Sequence, residues 1–90
     1  MTQKEKLYYL INNYHIGNYS AKSFSEQFVI IFSEGVDDYS SKKEEGIMQE
    51  FCRLAERYSP YNEDVKMSTF FINDKSFRDM FNQLYDKFIA

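Results

Sequence analysis

Hydrophobic residues recur at helical spacing in four segments of this 90-residue chain. Residues three or four positions apart share one side of an α-helix, so each segment predicts a helix with one apolar face. Four such helices joined by modest loops predict an all-α fold, a compact antiparallel four-helix bundle that forms a single domain over residues 1–90. The four faces comprise Leu7, Leu10, Ile11 and Tyr14; Ala21, Phe24, Phe28, Ile31 and Phe32; Ile47, Met48, Phe51, Leu54, Ala55 and Tyr58; and Phe77, Met80, Phe81, Leu84 and Phe88.

Polar residues predict where the first two helices begin and end. Thr2 with Glu5 has the spacing of a capping box, in which each side chain bonds the other residue's backbone amide. The second helix is expected to begin near Ser20. Gly35 is expected to follow its end, because glycine adopts the left-handed backbone conformation that commonly terminates helices.

The third and fourth helices have similar signals. Ser41 with Glu44 is a second possible capping box, and Pro60 cannot continue a helix, so the third helix should stop just before it. The fourth is expected to begin near Asn73. Residues 67–72 have strand-like composition without an obvious pairing partner, which favours an extended connection packed on the helices, with a short hairpin as the alternative.

Charge is concentrated in the middle of the chain. Residues 34–64 contain nine acidic and four basic residues and carry a net charge of −5, whereas each flanking part carries +1. A field of this kind raises the rate of encounter with a cationic partner and repels nucleic acid. The alternative is a solvated acidic helix face. The nine acids are Glu34, Asp37, Asp38, Glu44, Glu45, Glu50, Glu56, Glu63 and Asp64.

Composition indicates a protein with a packed core and no membrane segment. The chain is 43% hydrophobic and 19% aromatic, which suits a core rather than a disordered tail. Its longest apolar run, residues 28–32, is far shorter than the ~20 residues of a membrane span. A single cysteine excludes an internal disulfide and fits a reducing compartment. We therefore expect a soluble cytoplasmic protein without membrane contact.

Residues suited to catalysis are scarce. His15 and Cys52 are the chain's single histidine and single cysteine, and a nucleophilic dyad would need them within hydrogen-bond reach. The favoured alternatives are a surface position for His15 and a packing position at the flank of the third helix for Cys52. No Glu-x-x-His pair of the kind used by di-metal bundles is present, and the three glycines are isolated, so no phosphate-cradling loop is predicted. The expectation is a protein that is not an enzyme, with no cofactor and no metal.

The outward side of the third helix is the candidate binding surface. At 100° per residue, Glu45, Gln49, Cys52 and Glu56 fall opposite the apolar face. Glu56 lies in the last turn, where the helix dipole disfavours an anion by about 0.3–1 kcal/mol. Such local conflicts concentrate at functional sites. The competing explanation is relief of that charge by Arg53, three residues earlier.

Acids and tyrosines next to this helix extend the candidate surface. The segment after Pro60 is interpreted as a loop that carries two acids and a tyrosine, and a tyrosine ring beside acids suits a protein interface. The turn before the third helix has a similar composition. The full set of predicted partner-binding residues is Glu56, Tyr61, Glu63, Asp64, Asp37, Asp38, Tyr39 and Glu45.

Three short motifs resemble a known family. Residues 50–60 read EFCRLAERYSP, residues 20–26 read SAKSFSE, and the final helix is approached by IND and ends in YDKF. These are similar to the colicin D immunity protein family, whose third helix ends in an Ala-Glu-Arg-aromatic-x-Pro run. The resemblance spans nearly the whole chain. Ser59 and Tyr61 depart from the family pattern, which can have acids at these positions.

The resemblance implies a four-helix inhibitor of a tRNA-cleaving toxin, of the kind also found beside contact-dependent growth inhibition toxins. It implies a monomer that binds its toxin 1:1 and covers the cationic active site with an acidic surface in place of tRNA phosphates. Within the matched motif, Glu56 carries this role. The alternatives are an acidic helical adaptor for another basic protein and a homodimer that buries Tyr8, Tyr9 and Phe32.

Overall fold

Five α-helices and no β-strand make up the computed structural model, which describes residues 1–90. The chain is therefore all-helical, as predicted. The predicted number of helices was wrong, because a short fifth helix lies where the sequence indicated a loop. The helices are α1 (Gln3–His15), α2 (Ala21–Ser33), α3 (Lys42–Arg57), α4 (Asn62–Met67) and α5 (Asp74–Ile89).

Side-chain caps fix the start of each long helix. Thr2 and Glu5 form the predicted capping box, with bonds of 3.1 Å and 3.0 Å to each other's amides. The hydroxyls of Ser20 and Ser41 and the side-chain oxygen of Asn73 each accept a bond from an amide in the first turn of α2, α3 and α5, at 2.9–3.1 Å. These bonds satisfy amides that have no partner within the helix.

The core is built mainly from aromatic rings of the four long helices. The ring of Phe81 on α5 lies 4.6 Å from that of Tyr14 on α1, 5.5 Å from Phe24 on α2 and 5.4 Å from Phe51 on α3, measured between centroids. Each of these rings is buried. Helix α1 packs on α2, α2 on α3 and α3 on α5, while α5 also contacts α1 and α2. The predicted apolar faces therefore do face a shared interior.

The connection from α3 to α5 is anchored by a short parallel pairing. The amide of Ile72 donates to the carbonyl of Arg57 at 2.8 Å, and the amide of Ser59 donates to the carbonyl of Ile72 at 3.2 Å. Ile72 itself is buried in the core. Of the predicted extended connection, Met67 belongs to α4, whereas residues 68–72 are non-helical, bend at Thr69 and Phe70, and pair with the end of α3 only at Ile72.

A polar cluster joins the start of α1 to the start of α3. The Glu44 carboxylate accepts a hydrogen bond from the Tyr8 hydroxyl and one from the Ser40 amide at 2.7 Å, and it forms an ion pair with Lys4 at 3.4 Å. Burial alone would raise the pKa of Glu44, but the bonds from Tyr8 and Ser40 and the charge of Lys4 outweigh it and hold that pKa below its ordinary value. The ionised form of Glu44 is therefore stabilised by folding.

We expect Glu44→Ala to lower the free energy of unfolding by about 2 kcal/mol, because three charge-assisted contacts are lost. A pKa that is lowered by folding stabilises the protein above the unfolded-state pKa, and this contribution is lost as the pH falls through the folded-state value. The difference between wild type and variant should therefore shrink in acid. Urea denaturation at neutral and acidic pH measures it. The matched control is Glu45→Ala, one residue along, which forms no ion pair and should change stability by less than about 0.5 kcal/mol. Equal losses in both variants would contradict the role of Glu44.

Candidate functional site

Most of the acidic residues in the middle of the chain have no cationic partner. The structure contains three ion pairs, and only two of them involve this segment: Lys4 with Glu44 at 3.4 Å, and Lys87 with Glu50 at 3.9 Å. The remaining seven acids form no ion pair, so their charge is directed to solvent or to a partner. These seven are Glu34, Asp37, Asp38, Glu45, Glu56, Glu63 and Asp64.

One side of α3 presents acids as predicted, with one correction. Glu45, Gln49 and Glu56 are exposed, but Cys52 between them is only 6% exposed and belongs to the core. The outward direction assigned to Cys52 was wrong, whereas the interpretation of Cys52 as a packing residue is confirmed. Tyr39, from the connection between α2 and α3, packs on the same core, and Cys52 is near enough to contribute to the raised pKa of Tyr39. Periodicity within α3 could not reveal this proximity, because Tyr39 belongs to another segment.

A first cluster lies at the beginning of α3. Asp37 and Asp38 are exposed in the connection that precedes the helix, and Glu45 is exposed in its first turns. Burial raises the pKa of Tyr39, and the negative charges of Glu45, Glu44 and Asp38 raise it further. Tyr39 is therefore a neutral, half-buried ring surrounded by carboxylates.

A second cluster lies at the end of α3 and in α4. Buried Ser59 organises it, because its hydroxyl donates to the Asp64 carboxylate at 2.7 Å and accepts from the Tyr61 amide at 3.2 Å. Glu63 is exposed in the first turn of α4, and the Tyr61 side chain is 66% exposed. The predicted loop is thus a helical turn with a fixed start. The sequence analysis treated Ser59 only as a departure from a family pattern and missed this role.

The predicted site residues therefore form two clusters rather than one. Glu45 and Glu56 are eleven residues apart on α3, which corresponds to about 17 Å along the helix axis. A standard protein interface of about 800 Å² per partner spans this distance. We call the surface formed by both clusters the acidic face. Its members are Asp37, Asp38, Tyr39, Glu45, Glu56, Tyr61 and Glu63. The remaining predicted residue, Asp64, is half-buried and bonded to the Ser59 hydroxyl, so it is left out of this surface.

Contacts around Glu56 bear on the two explanations of its position. Arg53, three residues earlier, forms no ion pair with it, so the competing explanation has no direct contact in its support. The neighbour of Glu56 is instead the thiol of Cys52, which donates to its carboxylate at 3.4 Å. Burial, followed by this bond and the Glu56 charge, raises the pKa of Cys52 to about 12. The thiol is protonated at neutral pH, whereas a nucleophilic cysteine must be a thiolate.

The other chemical candidates have structural contacts of their own. The ring of His15, at the end of α1, stacks on Tyr85 of α5 with 3.8 Å between centroids. No group of three or more histidine, cysteine, aspartate or glutamate residues is arranged to hold a metal ion. None of the helices combines the length and the apolar character that crossing a membrane requires.

Comparison with known proteins adds no relative. No protein-family model, no curated protein and no solved structure matches this chain.

We expect Ser59→Ala to loosen α4. The variant loses two hydrogen bonds and leaves the Tyr61 amide without a partner, so the free energy of unfolding should fall by about 1–2 kcal/mol. Amide protons of residues 62–67 should exchange faster than in wild type, which hydrogen-exchange mass spectrometry measures. The control is Ser76→Ala, because Ser76 is exposed on α5 and its side chain makes no hydrogen bond. Unchanged exchange in α4 would show that Ser59 does not hold it.

Proposed function

We propose that this chain is an immunity protein that binds a cognate tRNA-cleaving toxin domain and neutralises it by covering a cationic active site with the acidic face. The observation that carries the proposal is that seven of the nine acids in residues 34–64 form no ion pair within the chain. A domain that cleaves tRNA has to attract phosphates, so its active site offers the lysines and arginines that these carboxylates lack.

Glu56 is the carboxylate that a cationic partner would stabilise most. It is exposed at the C-terminal end of α3, where the partial negative charge of the helix terminus disfavours an anion. A cation supplied by the toxin would interact favourably with Glu56 and with the helix terminus at once. Because the side chain extends from a regular helix rather than a loop, little ordering is needed when the toxin binds.

Tyr61 and Tyr39 provide the apolar part of the proposed contact. The Tyr61 ring is exposed at the start of α4, in the second cluster, while Tyr39 is half-buried among the acids of the first. Tyrosine contributes a large contact area with few torsions to freeze, and aromatic anchors carry much of the energy of protein interfaces. In this proposal the acids fix orientation and speed association, and the tyrosines add affinity.

The remaining parts of the proposal concern shape and stoichiometry. We infer that the four long helices form an antiparallel bundle, which keeps the two clusters of the acidic face at a fixed distance. The aromatic residues that would favour a homodimer are partly accommodated within one chain: Tyr8 packs edge-on against Phe88 at 4.8 Å, and Phe32 stacks on Phe28 at 6.4 Å. We therefore propose a monomer that binds one toxin domain.

Co-expression tests this function directly. The toxin candidate is the C-terminal domain of the large protein encoded immediately upstream of this chain's gene. We expect cells that produce the domain alone to lose intact tRNA and stop growing, and cells that also produce this chain to keep both. Size-exclusion chromatography with light scattering should show a 1:1 complex. Binding without a protective effect would instead favour an acidic adaptor for a basic protein, and no binding would reject the immunity function.

A further inference from the structure

Positive charge on this acidic protein gathers on the other flank of α3. A groove of about 260 Å³ between α3 and α5 is bordered by Arg53, Arg57 and Lys87, with Glu50 as its single carboxylate. Lys87 and Glu50 form an ion pair at 3.9 Å, and neither arginine forms one. The border of the groove therefore carries a net charge of +2, in a chain whose formal net charge is −3.

Arg57 is held in place for this role by the connection that precedes α5. Its Nε donates to the Phe70 carbonyl at 2.8 Å, and its Nη2 lies 3.4 Å from the Thr69 carbonyl. Carbonyl oxygens leave the positive charge of the guanidinium unneutralised, and three of its five N–H donors have no partner in the chain. Arg57 is thus a cation of fixed orientation with unused hydrogen-bond donors. Arg53, one helical turn earlier, makes no hydrogen bond or ion pair at all.

The floor of the groove is aliphatic. Leu54 of α3 is buried, and Met80 and Leu84 of α5 are half-buried below the charged border. The Phe70 ring, 49% exposed, continues the apolar surface beyond Arg57, whose guanidinium carbon lies 5.9 Å from the ring centroid. An apolar floor bordered by unpaired cations matches a ligand that combines aliphatic groups with carboxylates.

We propose that this groove docks a segment of a partner protein that carries glutamates or aspartates beside aliphatic side chains. The groove is smaller than the pockets of about 300–1,000 Å³ that enclose small molecules, so it suits one or two side chains of a larger partner. Nucleic acid fits less well, because the floor itself is aliphatic, so that base stacking is limited to the Phe70 ring at its edge, and the acidic face repels a polyanion.

This docking surface is separate from the acidic face. At 100° per residue around α3, Arg53 and Arg57 point in one mean direction, and Glu45 and Glu56 point in another. The two directions differ by about a quarter of a turn around the helix axis. The two surfaces attract partners of opposite charge and can be occupied together. The inference goes beyond the proposed toxin inhibition and does not depend on it, since it requires only the groove and its border.

The test is an NMR titration of the ¹⁵N-labelled chain. The probe is an acetylated, amidated peptide in which two leucines four residues apart flank glutamates, and the comparison peptide has lysines in place of the glutamates. We expect saturable shift changes confined to residues around the groove with the glutamate peptide, and none with the lysine peptide. Arg53→Gln should weaken binding about fivefold, the upper range for an exposed ion pair, without affecting the fold.

Lys75→Gln is the matched control, because Lys75 is an exposed cation of α5 that lies outside the groove and forms no ion pair. It should leave binding unchanged. The proposal is overturned if the glutamate peptide causes no shift at millimolar concentration, or if Arg53→Gln has no larger effect than Lys75→Gln. It is also overturned if single-stranded RNA shifts the groove residues at lower concentration than the peptide. Shifts that appear on raising the protein concentration alone would show that a second copy of the chain occupies the groove instead.

Discussion

Glu56→Lys is expected to abolish protection against the toxin while the chain stays folded. Under the proposed function, Glu56 faces a lysine or arginine of the toxin in a contact from which water is excluded. Truncating one member of such a pair typically costs about 2–5 kcal/mol of binding free energy, which corresponds to a loss in affinity of about 30-fold to several thousandfold. Charge reversal adds repulsion. Isothermal titration calorimetry and the co-expression assay measure the two consequences.

The same substitution should leave stability almost unchanged. The one hydrogen bond that the Glu56 side chain makes is the weak one from the Cys52 thiol at 3.4 Å. A lysine in the last turn of α3 interacts favourably with the helix terminus, which offsets repulsion from nearby Arg53 and Arg57. We expect the free energy of unfolding to stay within about 0.5 kcal/mol of wild type, the usual range for an exposed position.

A matched charge reversal separates a specific contact from net charge. Asp79 is exposed on α5, forms no ion pair and lies outside residues 34–64, so Asp79→Lys changes the net charge of the chain by the same amount. It should slow association slightly and leave dissociation unchanged, since it alters only the long-range field. If Asp79→Lys and Glu56→Lys impair binding equally, Glu56 has no individual role. Retained protection in Glu56→Lys would place the contact elsewhere on the chain.

Local signals made most of the fold predictable from the sequence. Each cap acts on an amide within the next three residues, so the neighbouring residues in the sequence suffice to identify it. The caps are Thr2, Ser20, Ser41 and Asn73. Helix α4 was missed because it lacks such signals: no side chain caps its start, and none of its residues is buried. It is held from outside by Ser59, whose partners are two and five residues away in a segment without apolar periodicity.

The site was predictable only as far as it depends on a single helix. The outward direction of Glu45 and Glu56 follows from the period of α3. The burial of Cys52 does not follow, because it depends on contacts with other segments. The groove beside Arg53 was equally inaccessible, since its opposite wall is α5, about thirty residues later in the chain. Predicting a groove that combines charges of one helix with side chains of another therefore requires the three-dimensional structure.

Phe81→Ala should have the largest effect on stability. The ring is fully buried and meets aromatic rings from each of the other three long helices. Removing a buried phenylalanine side chain typically costs about 3–5 kcal/mol, partly through lost burial and partly through the cavity that remains. A domain of this size is stable by only about 5–15 kcal/mol in total. The variant should therefore unfold at much lower urea concentration, with loss of the near-ultraviolet circular dichroism of its tyrosines.

Two controls separate the position of Phe81 from the mere loss of an aromatic ring. Phe70→Ala removes a ring that is about half exposed and should cost less than about 1.5 kcal/mol. Phe81→Leu keeps most of the volume and should cost less than Phe81→Ala. Phe51 of α3 packs directly on Phe81, so unfolding of the alanine variant also disrupts the helix that carries Glu56. Under the proposed function, Phe81→Ala should therefore weaken toxin binding only in proportion to its unfolded fraction, unlike Glu56→Lys. A stability loss below about 1 kcal/mol in Phe81→Ala would contradict the ring packing that joins the four long helices.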